Sequence, residues 1–191
     1  MTPSIELGRR GRGLRRLLAV GVCIVCTQVF AEKDDVVFEW LDAREGAFAL
    51  RGTIAVGAQP EAIWGVLTDY GRFPEIYPDV ARVHVKDSNP RGATVVIHVK
   101  NFWTEYSYET RRDYVEPGSR ISWRQIKGPY RDLSGEWTIR AGPESGRHRI
   151  ICTTIVELES PVEAFVARQL AEGRMRKTLL RMRERLESAG R

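Results

Sequence analysis

Hydrophobic and polar residues alternate along the first part of the chain that follows the N-terminal apolar run. Alternation with a period of two residues is typical of a strand with one buried face. Two such segments, 36–41 and 48–56, flank a turn-forming stretch, so the sequence predicts an antiparallel hairpin. Past Pro60 the period becomes that of a helix, and Gly71 separates this helix from a short helical turn over 73–78.

The period of two residues returns after this second helical turn and continues to residue 158. The pattern predicts six further strands, over 82–86, 94–100, 103–115, 120–127, 133–140 and 149–158. Short clusters rich in Gly, Pro, Asn and Asp separate these segments, which indicates successive antiparallel strands joined by tight turns. Because no long helix interrupts them, the pattern excludes a parallel sheet with crossover helices.

The last segment has the pattern of one long amphipathic helix. Ser160 is a suitable N-cap and Pro161 a suitable first helical residue, and Gly173 is the only helix-breaking residue before Glu187. Such a helix would be about 39 Å long, which is enough to cross a sheet. The sequence therefore predicts an α+β fold in which a curved antiparallel sheet wraps around a long C-terminal helix, with a groove between them.

Most of the net charge of +5 lies in an N-terminal leader. Residues 1–31 hold five arginines and one acid, which together account for +4 of that charge. An arginine-rich stretch before the uncharged run from Leu17 to Phe30 is typical of a signal peptide. We therefore expect a leader over 1–31 and an exported, periplasmic domain over 36–188; an uncleaved anchor in the inner membrane is the alternative. The nearly neutral domain gives no support for a nucleic-acid partner.

Motifs that carry chemistry are sparse. Cys23 and Cys26 lie in the leader, so Cys152 is the only cysteine of the predicted domain and no internal disulfide is expected. The chain has no Gly-x-Ser-x-Gly nucleophile motif, and its three histidines lie on different predicted strands. The sequence therefore assigns no catalytic residue, no metal site and no cofactor.

The strand predicted over 103–115 has one face that is unusually rich in tyrosine. That face carries Tyr106, Tyr108, Thr110, Arg112 and Tyr114. The tyrosines either line a cavity or form an exposed cross-strand ladder, and the sequence does not decide between the two. His98, Glu105 and Arg124 are the ionisable residues that an acid–base reaction in an apolar pocket would use, although a structural role is the alternative for His98.

Several motifs resemble the START-like superfamily, which includes polyketide cyclases and dehydrases, lipid-transfer proteins and coenzyme Q-binding proteins. The motifs are Ala58-Gln59-Pro60-Glu61-Ala62-Ile63-Trp64-Gly65-Val66-Leu67-Thr68-Asp69-Tyr70, Phe73-Pro74, Tyr77-Pro78, Arg120-Ile121-Ser122-Trp123, Gly135-Glu136-Trp137 and Ser160-Pro161. The resemblance covers about residues 46 to 187 and is strongest to an exported bacterial branch. It implies the helix-grip fold, with two short helices after the first long strand.

The resemblance also implies a function, namely binding or carriage of a hydrophobic small molecule such as a lipid, an isoprenoid quinone or a polyketide. A cyclase or dehydratase using an ionisable residue in the same cavity, and an interaction module with a filled core, are the alternatives. The candidate ligand-binding residues are Tyr77, His98, Tyr106, Tyr108, Trp123, Trp137 and Phe165. The basic stretch Arg174–Arg185 predicts transient contact with a membrane surface, unless it is simply a solvated helix face.

Overall fold

The computed structural model of the protein describes residues 36–100, 105–142 and 144–188. The predicted leader, with Cys23 and Cys26, lies outside the described residues. Within the described ranges, no helix combines the length and the hydrophobicity needed to cross a bilayer.

The described residues form one curved antiparallel sheet of eight strands. The strands are β1 (Val37–Leu41), β2 (Ala47–Val56), β3 (Val80–Asn89), β4 (Gly92–Lys100), β5 (Glu105–Glu116), β6 (Arg120–Lys127), β7 (Asp132–Ala141) and β8 (His148–Glu157). Their order across the sheet is β1-β2-β8-β7-β6-β5-β4-β3. The predicted run of antiparallel strands is confirmed, and β8 returns to pair with β2 along its whole length.

The helices occupy the two places that the sequence predicted. They are α1 (Pro60–Thr68), a 3₁₀ turn (Tyr70–Arg72), α2 (Phe73–Ile76) and α3 (Pro161–Ser188). The backbone N–H of Glu163 donates to Ser160 Oγ at 3.3 Å, which confirms Ser160 as the N-cap of α3. Gly173 does not interrupt α3. The α+β helix-grip fold is confirmed.

The second half of α3 is attached to the sheet by a hydrophobic core. Alternate residues of β2 and β8 turn toward the helix and meet its apolar stripe. The least exposed of these side chains, at 1% or less, are Ile54, Val56, Ile150, Leu179 and Met182. Burial of each side chain of this size contributes about 1.5–3 kcal/mol, so this contact fixes the position of the helix.

The first half of α3 is attached differently. Its apolar side chains point largely to solvent: Val162, Phe165, Val166 and Leu170 are 73%, 64%, 50% and 46% exposed. On another side of the helix, Trp40 of β1 donates from Nε1 to Glu172 Oε1 at 2.7 Å, and the Arg168 guanidinium lies 4.6 Å from the centre of the Trp40 indole. Polar and cation–π contacts with β1 therefore support this half of α3.

Gly135 of β7 marks a place where the sheet leaves no room for a side chain. A Cβ at this position would overlap the carbonyl oxygen of Thr153 and the indole of Trp123. Because a strand carbonyl cannot move without disturbing its pairing, we expect Gly135→Ala to lower the free energy of unfolding by about 1–3 kcal/mol. Urea denaturation of the purified protein measures this change.

Gly173→Ala is the matched control for this substitution. No atom lies within 4 Å of a Cβ at Gly173, which is inside α3. Alanine is preferred over glycine within a helix, so this variant should be more stable by about 0.5–1 kcal/mol. Similar stabilities of the two variants would contradict the crowding described at Gly135.

Candidate functional site

A cavity of about 250 Å³ lies between the inward face of the sheet and α3 and is partly open to solvent. Its wall is formed by Phe48, Leu50, Phe73, Tyr77, Val80, Ile97, Tyr108, Thr110, Arg112, Trp123, Tyr130, Leu133, Trp137, Cys152, Thr154, Val156, Ala167, Ala171, Arg174, Met175 and Thr178. At about 30 Å³ per liquid water, this volume accommodates on the order of ten non-hydrogen atoms. The groove expected from the sequence is present, and side chains do not fill the space between the sheet and α3.

Small side chains on α3 explain why the space is open. In its first half the helix presents only Ala167 and Ala171 to the cavity. Longer side chains, those of Arg174 and Met175, reach the wall further along the helix. Leu179 and Met182 then pack in the core. Small residues leave space between the helix and the concave sheet, so close packing is reached only at the second half of the helix.

Two tryptophans form the aromatic part of the wall. Trp137 of β7 is 3% exposed, and the Trp123 ring of β6 lies across Gly135, where the missing side chain makes room for it. Both rings line the cavity. The glycine between them therefore shapes the cavity as well as the sheet.

Burial changes the acid–base behaviour of the groups in the wall. It raises the pKa of Tyr77 and that of the Cys152 thiol to about 12 in each case, against an opposing effect of the nearby Arg112 charge. Burial also raises the pKa of Tyr108. These groups are therefore neutral at pH 7, and Cys152 acts as an apolar part of the wall rather than as a nucleophile.

Two arginines lie in the cavity wall, and Arg174, which is half exposed, forms an ion pair with Asp79 at 3.1 Å. Arg112 is the buried one. The residue is 4% exposed, and its guanidinium carbon lies 5.0 Å and 5.4 Å from the ring centres of Phe73 and Tyr70. Its Nε and Nη1 atoms have no hydrogen-bond partner, and no ion pair among the described residues includes it. A buried guanidinium keeps its charge, so its desolvation is offset only in part here, by the two rings and by the Tyr77 hydroxyl close to it.

A group of hydrogen-bonded tyrosines lies at one end of the cavity. The hydroxyls of Tyr106 and Tyr130 are 2.6 Å apart, and Gln125 Nε2 donates to the carbonyl oxygen of Tyr130 at 2.7 Å. The rings of Tyr108 and Tyr130 meet edge to face with centres 6.0 Å apart. These contacts hold the β6–β7 loop, which carries Tyr130, against the cavity.

The structure brings four of the predicted ligand-binding residues together in the cavity wall: Tyr77, Tyr108, Trp123 and Trp137. Tyr106 contacts the wall through Tyr130. The other two candidates lie elsewhere. His98 falls between Ile97 and Val99, which are buried on the inward face, so its side chain points to the opposite face of the sheet. Phe165 is 64% exposed and does not line the cavity. A ligand contact by any of these residues stays a prediction.

Arg112 lines the cavity but is not among the residues that the sequence predicts for it. The ionisable residues predicted for the pocket are His98, Glu105 and Arg124, and none of these lines the cavity. The alternation of β5 did place Arg112 on the tyrosine face, and the structure shows that this face points inward. The signal was therefore present, but the sequence did not reveal which face of the strand is concave.

A family model described as polyketide cyclase / dehydrase and lipid transport matches residues 56–187. The chain belongs to this family. The match begins at the last residue of β2, so β1 and the rest of β2 precede it. Among curated proteins, none matches the sequence at a significant level.

Several solved structures share the fold of this chain at low sequence identity. The Zhui aromatase/cyclase from Streptomyces sp. R1128 is 20% identical, with a TM-score of 0.63 over 76% of this chain and 96% of that one. A START superfamily protein from Mycobacterium smegmatis is 17% identical, with a TM-score of 0.64 over 74% and 98%. A STAR-related lipid transfer protein from Xanthomonas axonopodis is 15% identical, with a TM-score of 0.60 over 78% and 98%. These similarities show the fold alone.

The raised pKa values predict a loss of stability at alkaline pH. The pKa of Cys152 rises from 9.0 and that of Tyr77 from 10.0, each to about 12, so the unfolded chain gives up these protons first. Their contribution is complete below pH 9 and is lost as the pH rises toward 12. In Tyr77→Phe, the loss of unfolding free energy between these limits should be smaller by on the order of 1–3 kcal/mol. Denaturant titrations across this pH range measure it, and an unchanged pH dependence would contradict the burial of Tyr77.

Proposed function

We propose that this family member binds or carries a hydrophobic small molecule in the cavity between the sheet and α3. The observation that carries the proposal is the composition of the wall. Its surface is mainly apolar and aromatic, and no Asp, Glu or His is among the described residues that line it. The enzyme alternative would need an acid or base in contact with the substrate, so the wall favours binding over catalysis.

The size of the cavity restricts how such a ligand can be held. A space for on the order of ten non-hydrogen atoms encloses one end of a lipid, quinone or polyketide rather than a whole molecule. A longer chain would leave the cavity beside the first half of α3, where Ala167 and Ala171 line the wall and Val166 and Leu170 are exposed. That path offers apolar surface from the cavity to solvent.

Filling the cavity should abolish ligand binding. Ala171→Trp places an indole in the space, and we expect the amount of apolar molecule that co-purifies with the protein to fall at least about tenfold. Native mass spectrometry, followed by organic extraction and identification of the bound molecule, measures this amount. A stoichiometric lipid, quinone or polyketide on the unmodified protein would also identify the ligand class.

The matched control is Gln169→Trp, which adds the same side chain to an exposed position of α3 outside the cavity wall. It should retain the ligand within about twofold, and thermal unfolding should show that both variants are folded. The proposal is wrong if the unmodified protein purifies empty and also takes up no fluorescent lipid or quinone. A molecule released in chemically altered form would favour the cyclase or dehydratase alternative.

We also propose that the chain is exported and touches a membrane surface through α3. The arginine-rich leader supports export, and the basic stretch Arg174–Arg185 with the exposed apolar residues before it supports the contact. Fractionation of bacteria that express the whole chain should recover it in the periplasm, shortened by the leader over 1–31. A share should sediment with membranes and be released by high salt. Recovery of the uncleaved chain in the cytoplasm would overturn this proposal.

A further inference from the structure

Three neighbouring groups in the cavity wall have buried polar atoms without partners. They are Arg112 Nε and Nη1, Thr110 Oγ1 and Trp123 Nε1. Thr110 and Arg112 occupy successive inward positions of β5, and Trp123 is the residue of β6 paired with Arg112 in the sheet register. The unpartnered atoms therefore form one cluster on the sheet, beneath α3.

The chemistry of this cluster is that of a donor site. Guanidinium and indole nitrogens can only donate hydrogen bonds, and a threonine hydroxyl can donate one. In most proteins such buried groups are satisfied, and the few exceptions have a specific reason. The group that would satisfy this cluster must present several acceptor oxygens.

The charge of Arg112 narrows the choice further. None of the described residues in the wall is an Asp or a Glu, so no internal carboxylate neutralises the guanidinium. A neutral carbonyl would satisfy hydrogen bonds but leave the charge uncompensated, and a cation would be repelled. A carboxylate supplies both the negative charge and two coplanar oxygens, which match the planar fork of a guanidinium.

The rings around Arg112 restrict the movement of its guanidinium. Tyr70 of the 3₁₀ turn and Phe73 of α2 lie 5.4 Å and 5.0 Å from the guanidinium carbon. Arginine packed against aromatic rings loses less freedom when a ligand binds. The site is therefore organised before the ligand enters.

We propose that the ligand is an amphiphilic carboxylic acid whose carboxylate is bound by Arg112, with Trp123 and Thr110 as additional donors, and whose apolar body occupies the cavity. This inference rests on the proposed function and specifies the ligand class for the same site. Catalysis has no part in it, since the carboxylate is held rather than converted.

Three probes of equal chain length test the proposal: octanoate, octanamide and octanol, whose size is close to that of the cavity. Isothermal titration calorimetry of the whole protein at pH 7 should give octanoate an affinity at least about tenfold above the other two. In Arg112→Met the affinity for octanoate should fall to within about twofold of that for octanol, which should itself change by less than about threefold. Arg124→Met, an exposed arginine outside the wall, should behave as the unmodified protein.

A stability readout separates a ligand site from a structural arginine. Removal of a buried charge without a counter-charge should leave the melting temperature of ligand-free Arg112→Met equal to or above that of the unmodified protein. Octanoate should raise the melting temperature of the unmodified protein and not that of the variant. If Arg112→Met does not fold, Arg112→Lys replaces it; this variant keeps the charge but not the planar fork, and should lose most of the preference for octanoate.

Each remaining outcome has a distinct meaning. Equal affinities for the three probes would overturn the carboxylate site and leave the proposed function intact. An affinity for octanamide equal to that for octanoate, both above octanol, would show that the cluster recognises a neutral carbonyl and would also overturn the proposal. Failure of all three probes to bind, together with a protein that purifies empty, would overturn the proposed function and this inference together.

Discussion

The packing of the second half of α3 against the sheet is the contact on which the rest of the structure depends. Leu179 and Met182 are fully buried against the inward face. On β2, a Cβ at Gly52 would meet the side chains of Met175 and Leu179, which shows how closely the helix approaches the strand there. Because this end supplies most of the apolar burial, the other end of the sheet can remain unfilled without loss of the fold.

The open end has a cost that the core must offset. Apolar cavities forfeit packing contacts, and a buried guanidinium without a counter-charge loses solvation that neighbouring rings restore only in part. The free energy of unfolding is therefore lower with Arg112 and the cavity than it would be with a filled, apolar interior. Sites that bind ligands commonly have this property, because a group left unsatisfied in the free protein is the one that a ligand can satisfy.

Much of this fold could be predicted from the sequence, because local chemistry determines its elements. Alternation defined the strands and the turn residues defined their ends; β6 was predicted with the bounds that the structure has. The cap at Ser160 located the start of α3. Four of the seven candidate ligand-binding residues line the cavity, and these are aromatic residues on inward positions or at the end of α2. Size, aromaticity and position in the pattern were sufficient to find them.

The parts that the sequence did not predict depend on packing between distant segments. A period of two residues divides β5 into two faces, but only the curvature of the sheet decides that the face of Tyr108 and Arg112 is concave. His98 fails as a cavity residue for the same reason, since the alternation of β4 puts it on the other face. Phe165 lies on an apolar stripe of α3, yet the sheet does not reach that stripe, so the side chain stays exposed.

The two halves of α3 also differ in the kind of contact that holds them, and this difference bears on how a ligand reaches the cavity. Opening the second half would expose the core around Leu179 and Met182, whereas the first half is held by the hydrogen bond from Trp40 to Glu172 and by Arg168 stacked on Trp40. Exposed polar and cation–π contacts of this kind are individually weak. Local opening is therefore easier at the first half of α3 than at the second. The weakly held half also covers the cavity through Ala167 and Ala171, which pack against a small cluster of Phe48, Leu133 and Val156. Access through this half therefore leaves the larger core around Leu179 and Met182 intact.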